Sequence, residues 1–211
     1  MIKLSKIAAV LAMLVSTLSI ICTYRGIFDP QIYGELFKAG KLSENLYLAS
    51  IAQDMIILPV SILLFVLCVI FLLKPMPKVL IAIVGIVWCE FYAFGLYTIQ
   101  GQYTDLYPLY LAIFSLSIYS MIMGIVSFNR YTESSVILPN IVRRSTITFL
   151  LTIPILMIPI WILRLAPNIA INSASEVYGV FILDLGIVFP AIIMIIVMLI
   201  KNIKFGKILQ A

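Results

Sequence analysis

Long apolar runs broken by short polar clusters set the pattern of this chain. Six runs stand out, at about 5–23, 50–73, 79–99, 108–128, 146–165 and 177–200. Each is close to the ~20 residues that an α-helix needs to cross ~30 Å of hydrocarbon. None alternates apolar and polar positions, and each is about twice the length of a barrel strand, so helices are predicted and strands are not. The expected fold is an all-α membrane protein: one domain over 1–211, a bundle of six transmembrane helices. The first run has the basic start of a signal peptide. It ends in Ile20, Ile21, Cys22, Thr23 and Tyr24 rather than at a small-residue cleavage site, so a retained helix is expected.

Punctuation supports these boundaries. Pro75 and Pro77 predict a tight turn between the second and third spans, because proline cannot continue a helix interior. Asp105 and Pro108 suit the cap and first turn of the fourth span. Ser173 and Glu176 have the spacing of a capping box before the sixth. Between the first two spans, "QIYGELFKAG" within the 24–49 loop has the makings of a short interfacial helix.

Composition agrees with a bilayer as solvent. The chain is 64% hydrophobic and 11% charged, with a mean hydropathy of +1.19. A soluble domain has about 45–50% apolar residues and about a quarter charged. The net charge of +5 does not point to nucleic acid, because its distribution is the one that membrane insertion selects. Lys3, Lys6, Lys74, Lys78, Arg130, Arg143, Arg144, Lys201, Lys204 and Lys207 fall on one side of the membrane. Arg25, Lys38, Lys41 and Arg164 fall on the other. The richer side is cytoplasmic, which places both termini in the cytoplasm. The acidic residues agree, with Asp29, Glu35, Glu44, Asp105 and Glu176 outside and Glu133 inside. Cys22, Cys68 and Cys89 lie in apolar segments without CxxC spacing and read as small buried hydrophobes. Histidine is absent. No hydrolase elbow, phosphate-binding glycine loop or metal-ligand set appears, so neither an enzyme nor a cofactor is expected.

Three carboxylates fall inside predicted spans: Asp54, Glu90 and Asp184. A charged residue at the helix centre costs ~2.5–3.5 kcal/mol on insertion scales, against ~0.3–0.6 returned by each Leu or Ile. The surrounding helices can absorb that, but a lipid-facing position would remain costly, so all three are expected to face protein or water. Glu90 is the deepest, with Ile86, Phe94 and Tyr97 on its helical face. It is expected to be a neutral acid bonded to Tyr97 or to a serine of the fourth span (Ser115, Ser117 or Ser120), or an ionised one serving a permeant ion. "AQDMIILPVSILLFVLCVIFLLK" places Asp54 ahead of Pro59, and "LDLGIVFPAIIMIIVMLIK" places Asp184 ahead of Pro190. Each proline frees a carbonyl, of Met55 and Gly186 respectively. Carboxylates beside freed carbonyls are ingredients of a cation or proton site. Tyr92, Tyr97, Tyr103, Tyr107 and Tyr110 form an aromatic belt. Among them Tyr97 and Tyr103, with Gln100, Gln102 and Asp105, outline a vestibule above Glu90. Arg164 snorkels, or pairs with Asp184 or Glu176.

"AQDMIILPVSILL", "FYAFGLYTIQGQYTDLYPLYLAIFSLSIYSMI" and "LDLGIVFP" resemble a group of polytopic prokaryotic integral membrane proteins without an assigned activity. The resemblance runs from about residue 45 to 190 and implies a multi-pass protein of the prokaryotic plasma membrane. Members continue with further apolar segments, which with the repeated Asp…Pro…Lys pattern raises the expectation of a shortened form lacking two helices. The function expected is transport or permeation of a cation, proton or small solute along intramembrane carboxylates, with Asp54, Glu90, Asp184, Tyr97 and Tyr103 as binding residues. The alternative is a non-catalytic accessory, sensor or binding protein with a protein partner or an oligomeric state.

Overall fold

The structure, a computed structural model, describes residues 2–129 and 140–201. Arg130, Glu133, Lys204 and Lys207, which enter the charge count above, lie outside the described residues. The regular elements are α1 (Ile2–Phe28), α2 (Gln31–Lys38), α3 (Glu44–Leu73), α4 (Pro77–Ile99), α5 (Tyr107–Asn129), α6 (Asn140–Ala170), α7 (Tyr178–Leu183), a π-helical turn (Asp184–Val188) and α8 (Phe189–Ile200). No strand occurs among the described residues. Six helices are long and apolar enough to cross a membrane, the last being α7, the π turn and α8 taken together.

Each of the first five predicted runs lies in one of these helices, the sixth is covered from Tyr178 onward by α7, the π turn and α8, and "QIYGELFKAG" contains α2. The second span starts earlier than its apolar run, at Glu44, because Ser43 caps it: the Ser43 hydroxyl accepts the N–H of Leu46 at 3.4 Å. Pro77 is at the first position of α4, which makes the turn after α3 short. The capping box at Ser173 and Glu176 does not form. The helix starts later, at Tyr178, with no side-chain cap, and Ser175 accepts the Val177 N–H instead. At the end of α4, Gly101 takes the left-handed conformation (φ 63°). The next N–H, of Gln102, returns to the Tyr97 carbonyl at 3.1 Å. That is a glycine C-cap, and it turns Gln102 back toward the helices.

The chain divides into two compact units, 1–131 and 132–211. In the first, α1 packs against α3, α4 and α5, and α2 lies against α1 and α3. The buried face of α1 consists of small residues: Ser5, Ala8, Ala9, Ala12, Val15, Ser16, Ser19, Cys22, Thr23 and Gly26. Its large apolar side chains, Ile7, Val10, Leu14 and Ile21, point outward. Lipid is as apolar as leucine, so helix association gains little from burying large side chains. It gains from close backbone approach and interhelical hydrogen bonds. One such bond runs from the Ser120 hydroxyl on α5 to the Ala8 carbonyl at 3.0 Å. In the second unit, α6 packs against α8. Pro154, Pro159 and Pro167 all lie inside the unbroken α6, and only Pro154 is buried.

Gly124 on α5 shows how close the approach is, since a Cβ there would meet the Val84 side chain at 2.5 Å. Gly124→Ala is expected to destabilise the detergent-solubilised protein by ~1–3 kcal/mol, the usual effect of overpacking. Adding Val84→Ala should restore most of the loss. Thermal unfolding of the two single variants and the double variant measures that coupling.

Candidate functional site

Asp54 is on the buried face of α3, in line with Ser50, Ile57 and Ser61. It is 1% exposed, and among the described residues its side-chain partners are phenols rather than basic groups. The Tyr33 hydroxyl donates to Oδ2 at 2.7 Å and the Tyr97 hydroxyl to Oδ1 at 2.8 Å. Tyr97 also reaches the Ser50 carbonyl at 3.0 Å, and Tyr110 is 3.4 Å from the Tyr33 hydroxyl. The rings of Tyr97 and Tyr110 lie 5.0 Å apart and those of Tyr33 and Tyr97 6.1 Å apart, so the donors are fixed by packing. Next to them, Gln102 donates to the Ser50 hydroxyl at 3.2 Å, while Gln53 donates to the Ala93 carbonyl at 3.0 Å. Tyr33 comes from α2, whose buried residues are Ile32 and Tyr33. Opposite the carboxylate is Gly26 of α1. A Cβ at that position would overlap Asp54 Oδ2 and stand 3.0 Å from the Tyr33 hydroxyl oxygen. Glycine is what lets the carboxylate lie against α1.

Glu90 is fully buried and meets serines. The Ser61 hydroxyl is 2.7 Å from Oε1, the Ser19 hydroxyl is 2.8 Å from Oε2, and the two hydroxyls are 2.7 Å from each other. Ser61 lies 2.9 Å from the Ile57 carbonyl as well. The expected partners, Tyr97 or a serine of α5, are not the ones used. Tyr97 shares Glu90's face of α4 but lies two turns further along and bonds Asp54. Ser120 bonds α1, and the Ser117 hydroxyl is buried without a partner.

The two carboxylates define two polar layers. Ser19 and Gly26 are seven residues apart on α1, Asp54 and Ser61 on α3, and Glu90 and Tyr97 on α4. Seven residues are two turns, or ~10 Å along a helix. One layer joins Ser19, Ser61 and Glu90; the other joins Gly26, Asp54 and Tyr97, with Tyr33 and Tyr110 added. The running direction reverses in α3, as antiparallel packing requires.

Asp184 belongs to the second unit. It opens the π turn, is 8% exposed, and its Oδ2 accepts the Trp161 indole N–H of α6 at 2.8 Å. Pro190 has no N–H, and the wider turn ahead of it accommodates the loss. Among the described residues no ion pair joins Arg164 to Asp184 or Glu176, and its guanidinium lies over the Trp161 ring at 5.8 Å. A hollow of about 370 Å³ between the end of α6 and the start of α7 is lined by Asn168, Asn172, Ser175, Tyr178 and Phe181.

Of the predicted site residues, Asp54 and Tyr97 meet directly and Glu90 lies in the adjoining layer. Tyr103 is 71% exposed and packs on Tyr107 at 4.5 Å, away from either carboxylate. Sequence reasoning missed Ser19, Gly26, Tyr33, Ser61, Tyr110 and Trp161. The seven-residue spacing of Asp54 and Ser61 was a usable signal for one of them. No family model, curated protein or solved structure matches the chain, so the site rests on its own geometry.

Two predictions follow from the phenol layer. Gly26→Ala displaces the carboxylate and is expected to destabilise by ~1–3 kcal/mol. The same change should cost much less on an Asp54→Ala background, as a double-mutant thermal cycle would show. Burial raises the Tyr33 phenol well above its ordinary value of 10.0, the buried neighbours Tyr97, Asp54 and Tyr110 adding to it. A group raised on folding contributes stability that is present below its unfolded value and lost as pH climbs past it. Stability is therefore expected to decline above about pH 10. Tyr33→Phe should flatten that decline in midpoint-versus-pH measurements.

Proposed function

We propose that the protein moves protons or a monovalent cation across a membrane, alone or with a small solute, using Glu90 and Asp54 as successive stations. The observation that carries this reading is the pair of buried carboxylates, in layers two turns apart, bonded to hydroxyl groups and, among the described residues, to no basic side chain. In a low-dielectric interior, a carboxylate without a counter-ion is tolerated only when a proton or another cation neutralises it. Exchange of that cation is the chemistry such a group can perform, and intramembrane acids commonly mark ion pathways. Phenol and serine hydroxyls suit the task because they both donate and accept. Tyr33 closes the Asp54 layer from a short helix outside the spans, so displacement of α2 opens that layer to water. Asp184, bonded to Trp161, holds the last span against α6. The reading places both termini in the cytoplasm and the protein in a prokaryotic plasma membrane.

The test is flux in liposomes loaded with a pH-sensitive dye under an imposed proton gradient, repeated with sodium and potassium gradients. The parent should dissipate a gradient faster than empty vesicles. Glu90→Gln and Asp54→Asn should each lower the rate roughly 10²-fold, the size of effect expected for loss of a proton-transfer group. A folded parent indistinguishable from empty vesicles under every gradient would refute the proposal.

A further inference from the structure

We infer that Glu90, Ser61 and Ser19 form a closed proton-relay ring, in which Glu90 is held as the neutral acid and the cation bound is a proton rather than a metal ion. The inference deepens the transport reading and rests on it only for the direction in which the proton is used.

Three contacts close the ring: Ser61 to Glu90 Oε1 at 2.7 Å, Ser19 to Glu90 Oε2 at 2.8 Å, and Ser19 to Ser61 at 2.7 Å. Each is a short O–H···O distance, and two oxygens approach that closely only with a hydrogen between them. The serines supply one hydrogen each. An ionised Glu90 supplies none, so one contact would set lone pairs against lone pairs in a fully buried site. The Ile57 carbonyl, 2.9 Å from Ser61, makes a fourth and longer contact, so an ionised Glu90 would leave two of the four contacts without a hydrogen and a protonated one leaves only this helical contact. A protonated Glu90 supplies the third. Its Oε1–H then donates to Ser61, Ser61 to Ser19, and Ser19 to Oε2, leaving every link of the ring with one hydrogen.

A metal ion fits poorly. The two hydroxyls and the two carboxyl oxygens are engaged with one another at 2.7–2.8 Å, and an ion bound to them would have to replace those hydrogen bonds with ion–oxygen contacts. Among the described residues no basic side chain enters the ring to supply a positive charge.

The ring also has a function that an isolated acid lacks. If all three hydrogens shift together, the O–H bonds at Oε1, Ser61 and Ser19 break, and new ones form at Ser61, Ser19 and Oε2. The result is the same ring with the opposite sense. The acid hydrogen leaves from the oxygen beside Ser61 and reappears on the oxygen beside Ser19, with no net charge and no co-reactant. A proton accepted from the α3 side of Glu90 is thereby handed over on the α1 side.

Infrared difference spectroscopy of the protein in lipid at neutral pH reads this directly. The parent minus Glu90→Gln should show a carboxylic C=O stretch that shifts in D2O, with no carboxylate pair. Ser19→Ala and Ser61→Ala should keep the acid band but move it to higher frequency, as one hydrogen bond to the carboxyl is lost. Sodium and potassium should leave it unchanged. A carboxylate pair in the difference spectrum, conversion of the band by either metal, or an unshifted band in both serine variants would overturn the ring. If Glu90→Gln does not fold, parent protein with 13C at the glutamate side-chain carboxyls supplies the same acid band by its isotope shift. An acid band without flux would remove the transport reading and leave the ring. Flux with a carboxylate at Glu90 would do the reverse.

Discussion

A carboxyl group in hydrocarbon has to find its hydrogen-bond partners inside the protein, and that requirement organises the first unit. Glu90 projects from α4, but its partners are on α1 and α3. Asp54 projects from α3 and takes its donors from α2 and α4. Each acid therefore ties three helices together at one height. Two such heights, separated by two turns, fix the axial register of α1, α3 and α4, because sliding any helix by one turn would strand both acids together. Apolar packing alone would discriminate weakly between such slips in a bilayer, where lipid competes on equal terms.

The same requirement explains why α1 is built of small residues. Serine, alanine and glycine on its inner face let the Glu90 carboxyl reach Ser19 and the Asp54 carboxyl lie against Gly26. A leucine at either place would fill the room that the acid occupies. Bulk is moved outward instead, to Ile7, Leu14 and Ile21 on α1 and to Ile56, Ile62 and Leu63 on α3. The helices are thus more polar inside than out, the reverse of a soluble bundle.

That inversion determines how much was legible in the sequence. Length and apolar content are enough to reveal six spans, because an uninterrupted run has no other stable home. The carboxylates were legible too, since a charge in such a run is conspicuous. Their partners were not. Ser19 and Ser61 are two among many hydroxyls in apolar helices, and most of those, such as Thr23 bonding the Ser19 carbonyl and Thr98 bonding the Phe94 carbonyl, merely satisfy themselves within their own helix. Tyr33 lies in what reads as a short interfacial helix, and nothing local announces that its ring turns inward to an acid of a neighbouring span. From sequence, Tyr97 and Tyr103 stand apart from the rest of the tyrosine belt, yet tertiary packing divides it otherwise: Tyr97 and Tyr110 are buried while Tyr103 is exposed.

The π turn of the last span has a consequence for angular phase. In a regular α-helix each residue advances about 100°, so Asp184 and Phe189 would point some 140° apart. In this span the Phe189 N–H closes on the Asp184 carbonyl, five residues back, so each residue of the wider turn advances less than 100° and the angle between the two side chains narrows. Asp184 and Phe189 consequently share the buried side, and Ile196, seven residues after Phe189, continues it. The extra residue in that turn acts as a phase shifter, bringing an acid and an apolar seam onto one face of the same span.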